Sequence, residues 1–305
     1  MNHKAKAVFG NHPYTEGKKD IPIYVDAGEM GQFIYPDFGL DYSDLNYMYV
    51  STDQMTVCSM EIGPGGFFNP PDYHPGDEAY FVLEGVITQF NPATGQCIEV
   101  KEGEALLIPK ETLHSAYNFG DKMVKILAVI APKIVEDQVF PTDVDGPKRI
   151  FKYDSTLFEK KKEDWDEPQI YGTVDHLGRW PAEGAVLRRN KVIYHITENR
   201  KLKVIAGDTR PVLMKFCVSN DFMHMGEYIV PAGGVVTRHS EPLSHGSEAF
   251  LFGMEGPVTV YMTDTRETYV LKHYEGLYIP AGMKYQLLNY SSVTARAIFA
   301  IAKDL

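Results

Sequence analysis

The chain repeats itself. Glu78-Ala-Tyr-Phe-Val-Leu-Glu-Gly85 returns as Glu248-Ala-Phe-Leu-Phe-Gly-Met-Glu-Gly256, and Leu107-Ile-Pro109 through Asn118 returns as Tyr278-Ile-Pro280 through Asn289. The passages leading in correspond as well, Pro64-Gly-Gly66 with Pro231-Ala-Gly-Gly234. An offset of about 170 residues is too long for a solenoid repeat and fits a duplicated domain, with Glu78 and Glu248 at equivalent places. The 305 residues then divide into residues 1–132, a connector over 133–184, and residues 185–305, each half long enough to bury a core. Val124–Ile130, Ala105–Ile108, Val258–Met262 and Ala297–Ile301 are strand-like runs, with turn residues such as Gly85, Asn91-Pro92 and Gly95 between runs. A hydrophobic share of 44% against 23% charged residues makes this a folded chain, and the pattern is all-β.

Within the first copy lie two spaced motifs. One reads Gly66-(x5)-Asp72-x-His74-(x3)-Glu78-(x6)-Gly85, and the other, about 18 residues on, reads Gly103-(x5)-Pro109-x-Glu111-(x2)-His114-(x3)-Asn118. Together they resemble the two-part motif of the cupin superfamily. Asp72 stands where that family has its first histidine, and Glu111 stands where it has a turn glycine. The resemblance covers both halves of the chain but not the connector. It implies two tandem cupin barrels (double-stranded β-helix, or jelly-roll), a bicupin.

Residues two apart on a strand share a face, so Asp72, His74 and Glu78 can look into one interior if their segment is extended. The resemblance makes His74, Glu78 and His114 the expected metal ligands. Two imidazoles and one carboxylate form a face that leaves coordination positions open, suited to iron, manganese, nickel or zinc. Asp72 has three readings: a fourth ligand, an acceptor for an imidazole N–H, or a turn residue before His74. The alternative for the whole set is a rim of polar residues with no ion.

The second copy is altered where chemistry would occur. Tyr285 takes the place of His114, His245 precedes Glu248 by three residues, and His239 lies further upstream. Tyrosine is an uncommon metal ligand, and its phenol can instead donate a hydrogen bond to a ligand. A degenerate second site is expected. His239, His245 and Glu248 are the residues that would hold an ion if it is not degenerate; otherwise they form a loop cluster of hydrogen bonds. Asp72 and Tyr285 are the candidate catalytic side chains.

A net charge of −11 argues against nucleic acid as a partner. No run of apolar residues is long enough for a membrane span. Cys58, Cys97 and Cys217 are widely separated and odd in number, which gives no disulfide framework. The N-terminus lacks a signal-peptide core, so a cytoplasmic location is expected. The mixed-charge run Glu159–Asp164 reads as solvated connector, and Trp180 as the anchor of a structural strap, with His176, Arg179 and Trp180 as the alternative, a lid. Open β-edges favour a homodimer or higher homo-oligomer, with the segment around Ile21-Pro-Ile-Tyr24 exchanged between copies.

Gly-x-Ser-x-Gly, Walker and dinucleotide motifs are absent from the sequence. Three functions follow from the resemblance. The first is a metal-dependent enzyme acting on a small oxygenated molecule, of dioxygenase type before isomerase, epimerase or decarboxylase. The second is a small-molecule-binding cupin without turnover. The third is a storage bicupin, disfavoured because His74, Glu78 and His114 are present.

Overall fold

The strand-like runs form strands in two copies of one arrangement. The computed structural model describes residues 13, 20–26, 30–35, 44–68, 71–134, 171–208, 210–237 and 241–305. The described strands make two seven-stranded sheets and two smaller ones. The first large sheet runs in the order Tyr194–Ile196, Ala105–Ile108, Asp77–Glu84, Val124–Ala131, Thr56–Ile62, Asp44–Ser51, Gly31–Tyr35. The second runs Ile23–Val25, Gly276–Ile279, Ala249–Glu255, Ala295–Ala302, Met223–Val230, Val212–Ser219, Leu202–Ala206. Neighbouring strands in both are antiparallel. A three-stranded sheet (Gln96–Lys101, Val86–Asn91, Ser115–Tyr117) belongs to the first half. A four-stranded one (Val235–Val236, Tyr285–Leu288, Val258–Met262, Thr268–Leu271) belongs to the second. Each half is thus a two-sheet β-barrel.

Alternation along the strands explains how the barrels meet. On Asp77–Glu84 the even side chains Tyr80 and Val82 join the interior of the first barrel, with Ile108, Ile126 and Met60. The odd ones, Ala79, Phe81 and Leu83, join a core shared with Phe250, Phe252, Met223 and Met225 of the second half. Buried on both faces, residues 79–83 of this strand read as an unbroken apolar run. Leu107 and Ile108 are adjacent and therefore divide between the shared core and the barrel interior.

Two strands cross the sequence-based division. Ile23–Val25, from the N-terminal segment, pairs with Gly276–Ile279 of the second half. Tyr194–Ile196 pairs with Ala105–Ile108 of the first. The exchange anticipated between two copies around Ile21–Tyr24 is therefore made inside one chain. It is reciprocal, and it caps one exposed edge in each large sheet.

The registers also correct the echo between Glu78 and Glu248. Glu78 lies opposite Ile108 and Ile130, and the residue opposite Ile279 and Ile301 is Ala249. Glu248 is thus the counterpart of Asp77. A slip of one residue on a strand moves a side chain to the other face, so Glu248 does not enter its barrel.

The connector's mixed-charge run lies outside the described residues, and so does His239 of the second copy. Trp180 is fully buried, exchanges backbone hydrogen bonds with Ser219 and donates its indole N–H to Arg200 O at 3.0 Å. This is the strap arrangement. His176 hydrogen-bonds within its own turn, to Thr173.

Candidate metal centre

Four side chains converge inside the first barrel. Glu78 projects from the start of Asp77–Glu84, and Asp72 and His114 face each other across a backbone bridge with hydrogen bonds of 3.1 and 3.0 Å. His74 follows two residues after Asp72 on the same side, as the spacing required. The ligating atoms of Asp72, His74 and His114 lie within 4.8 Å of one another. Glu78 Oε2 lies 2.9 Å from His114 Nε2 and 3.6 Å from His74 Nε2. Asp72 is 3.2 Å from His114 Nε2 and 3.8 Å from His74 Nε2.

Both imidazoles are aimed by their other nitrogen. His114 Nδ1 meets Thr112 O at 2.9 Å, and His74 Nδ1 meets Ile134 O at 3.2 Å. Donation of Nδ1–H to these carbonyls turns each Nε2 lone pair inward, the arrangement seen behind metal-bound histidines. Thr112 and Ile134 could not be found from the sequence, because a carbonyl partner leaves no side-chain signal.

The electrostatics select positive charge. Burial opposes a charged His114, but the Asp72 and Glu78 carboxylates outweigh it and raise the imidazole to about 9. Burial likewise pushes the Glu78 carboxyl up, and His74 and His114 overcome this to hold it below its usual value. The Cys58 thiol at the pocket wall is kept protonated by burial, reinforced by Glu78. Glu78 Oε2 is buried and faces both Nε2 atoms, and His114 and Tyr80 are the side chains that hydrogen-bond to its carboxylate. A divalent cation among these atoms would satisfy the carboxylates and both lone pairs together, so the residues fit a metal ion. The cavity is about 40 Å³, walled by Met60, Phe68, Ile130 and Ile134.

The matching place in the second barrel carries different side chains. Leu243 pairs with Tyr285 across the equivalent bridge, so Leu243 stands for Asp72 and Tyr285 for His114. His245 stands for His74 and Ala249 for Glu78, so neither carboxylate of the first site has a counterpart in that interior. Tyr285 is fully buried with its hydroxyl 2.7 Å from His245 Nε2. Glu248 instead meets Thr52 at 2.5 Å and Tyr278 at 2.8 Å. Tyr285 and Asp72, both expected to be catalytic, therefore lie in separate barrels.

Residues 58–130, which carry all four converging side chains, match the family model described as the cupin domain. The match lies within the first barrel. Germin-like protein subfamily 2 member 3 of Arabidopsis thaliana is 33% identical over 102 residues, which are 32% of this chain and 44% of that protein. The match thus spans less than half the length of this curated relative. Among solved structures, the putative glyoxylate induced protein of Pseudomonas aeruginosa aligns over 99% of this chain and 96% of its own, at 15% identity and a TM-score of 0.58. Bacillus subtilis oxalate decarboxylase aligns over 94% and 80%, at 13% identity and 0.56. Salicylate 1,2-dioxygenase of Pseudaminobacter salicylatoxidans aligns over 96% and 86%, at 13% identity and 0.53. At these identities the likeness is one of fold, and it extends over both halves of the chain.

Proposed function

We propose that the chain is a bicupin enzyme whose first barrel binds one divalent metal ion through His74, Glu78 and His114, with Asp72 beside them, and acts on a small oxygenated molecule. The observation that carries this reading is the convergence of two Nε2 atoms and the Glu78 and Asp72 carboxylates in one interior, with each imidazole fixed from behind. A divalent ion bound there (Fe, Mn, Ni or Zn) would supply Lewis acidity and, if redox-active, activation of O₂. Glu78 and the imidazoles turn their inward atoms on one another and so act as holders. Asp72, at 16% side-chain exposure against 3% for Glu78, is the carboxylate nearer the mouth and the group placed to hold or move a proton. Met60, Phe68 and Ile134 exclude water. The cavity has room for about one water beyond an ion, which favours a substrate that is small or that reaches the site with one end.

The reaction proposed first is of dioxygenase type, on a phenolic, keto-acid or sugar-acid-like substrate, in keeping with the open ligand face. A second reading, decarboxylation or isomerisation, is favoured by Asp72 itself. A partly exposed carboxylate 3.2 Å from His114 suits proton transfer better than O₂ cleavage. We further propose residues 1–132 and 185–305 as the two cupin domains with 133–184 between them, a cytoplasmic location, and a homodimer or higher homo-oligomer.

The test is elemental analysis of the purified protein, with oxygen uptake and CO₂ release followed on a panel of phenols and keto acids. We expect one equivalent of divalent metal, lost in His114→Ala with the circular dichroism spectrum retained. Oxygen consumption supports the first reaction, and product formation without it supports the second. Full metal retention in His114→Ala would show that the centre lies elsewhere.

A further inference from the structure

Asp77 is next to Glu78 in sequence but points the opposite way, out of the barrel and towards the second half. It is fully buried, and its carboxylate accepts four hydrogen bonds. Oδ1 receives Lys110 N at 2.8 Å and Arg188 Nε at 3.0 Å. Oδ2 receives Arg188 Nη2 at 2.9 Å and Asn220 Nδ2 at 3.0 Å. Lys110 begins the loop that ends at His114. Arg188 belongs to the helix Gly184–Asn190, and it also pairs with Asp221 at 2.7 and 2.9 Å and lies over the Phe222 ring at 3.5 Å. Lys191, just after the helix, donates to Lys110 O at 2.7 Å and to Glu111 at 3.1 Å.

One buried carboxylate thus joins the segment that carries Glu78, the loop that carries His114, and a brace rooted in the second barrel. We propose that Asp77 is a positioning residue of the metal centre, held by Arg188 and Asn220, and that it sets the separation of Glu78 from His114. The proposal rests on the metal-site reading above. It also gives the second barrel a role in the first one's chemistry, because the turn Ser219–Met223 anchors the clamp.

The counterpart of Asp77 supplies the control. Glu248 reaches across the same interface to Thr52 and, through its backbone N–H, to Gln54. It is flanked by Ala249 rather than by a ligand. The two latches are alike as interface contacts, and only one adjoins metal ligands.

The experiment compares Asp77→Asn, Asn220→Ala and Thr52→Val with the wild type in two measurements. In the first, manganese and zinc affinity is measured by chelator competition. In the second, ¹H–¹⁵N spectra of the imidazoles are recorded on metal-free, histidine-labelled protein. We expect Asp77→Asn to weaken metal binding at least about tenfold, the usual size for a residue that orients a ligand. It should also shift the His114 ring signals. Asn220→Ala, which removes one of the four hydrogen bonds to the carboxylate, should do the same to a smaller extent. Thr52→Val should lower the melting temperature and move neither readout. Arg188→Lys should restore only part of the affinity relative to Arg188→Met, because an ammonium cannot make the two-pronged contact. Unchanged metal affinity and unchanged ring signals in Asp77→Asn, with only a lower melting temperature, would overturn the proposal. A wild type that takes up no metal would instead overturn the metal-site reading, and the imidazole spectra would still decide the clamp.

Discussion

A histidine poised for metal needs one nitrogen aimed at the ion and the other held. The first half of that requirement is legible in sequence. The parity of Asp72, His74 and Glu78, with His114 in the second motif, placed all four side chains in one interior. The holding half was not legible, since Thr112 O and Ile134 O could belong to any residue. Tyr285 shows the limit from the other side. Its position opposite Leu243 was readable as the counterpart of His114. Its pairing with His245, and its complete burial away from Asp72, needed the structure. If its hydroxyl only completes the interior of the second barrel, Tyr285→Phe should cost about 1 kcal/mol, the usual worth of one buried hydrogen bond. Metal content should not change. Denaturant melts with elemental analysis check this, and loss of metal would place the centre in the second barrel.

Strands punish a one-residue error more than any other element, because their side chains alternate with period two. The echo Glu-Ala at 78 and 248 is real as text, yet the ladder pairs Ala249, not Glu248, with the counterpart of Ile108. Counting from His245 by the first copy's four-residue step, rather than from the matching letters, would have found it. The register makes a constructive prediction. His245 is already in place, so Ala249→Glu with Tyr285→His should install a second metal equivalent. Without metal the double variant should melt lower, from a buried carboxylate lacking partners, and added zinc or manganese should raise its melting temperature. No rise would mean the second interior cannot open to an ion. The turn Glu198–Arg200 carries a pH dependence of its own. Burial raises the Glu198 carboxyl, but the hydrogen bond from Lys215 at 2.8 Å, with Lys201 adding to it, brings it to about 2 from 4.5. A lowered folded value stabilises the native state above 4.5, and that contribution is lost as pH falls from there towards 2. Glu198→Gln should therefore flatten the fall in melting temperature over that acid range by lowering the neutral-pH value while leaving the value near pH 2 unchanged, and the loss should be small because the group is half exposed.

The duplication was legible from the repeats, while the way the copies are joined was not. Ile23–Val25 is a short apolar segment whose partner strand lies some 250 residues away, and nothing local in Ile-Tyr-Val names that partner. The joined state has a thermodynamic consequence. Each large sheet ends in a strand supplied by the other half. Phe81 and Leu83 share a core with Phe250 and Phe252, and Tyr49 packs edge-on to Phe252 at 5.4 Å. Lys201, buried beside the second barrel, bonds both Glu227 and Gly103 O of the first half. Unfolding either barrel alone would strip an edge strand from the other and expose its share of this core to water, at a cost comparable with the whole stability of a domain. The barrels should therefore unfold as one unit. Calorimetry on the full chain should give a single transition, with calorimetric and van't Hoff enthalpies in agreement. Cutting the chain between the halves should leave a complex that still melts together. Two resolved transitions, one sensitive to metal and one not, would show that the exchanged strands decorate the interface without coupling it.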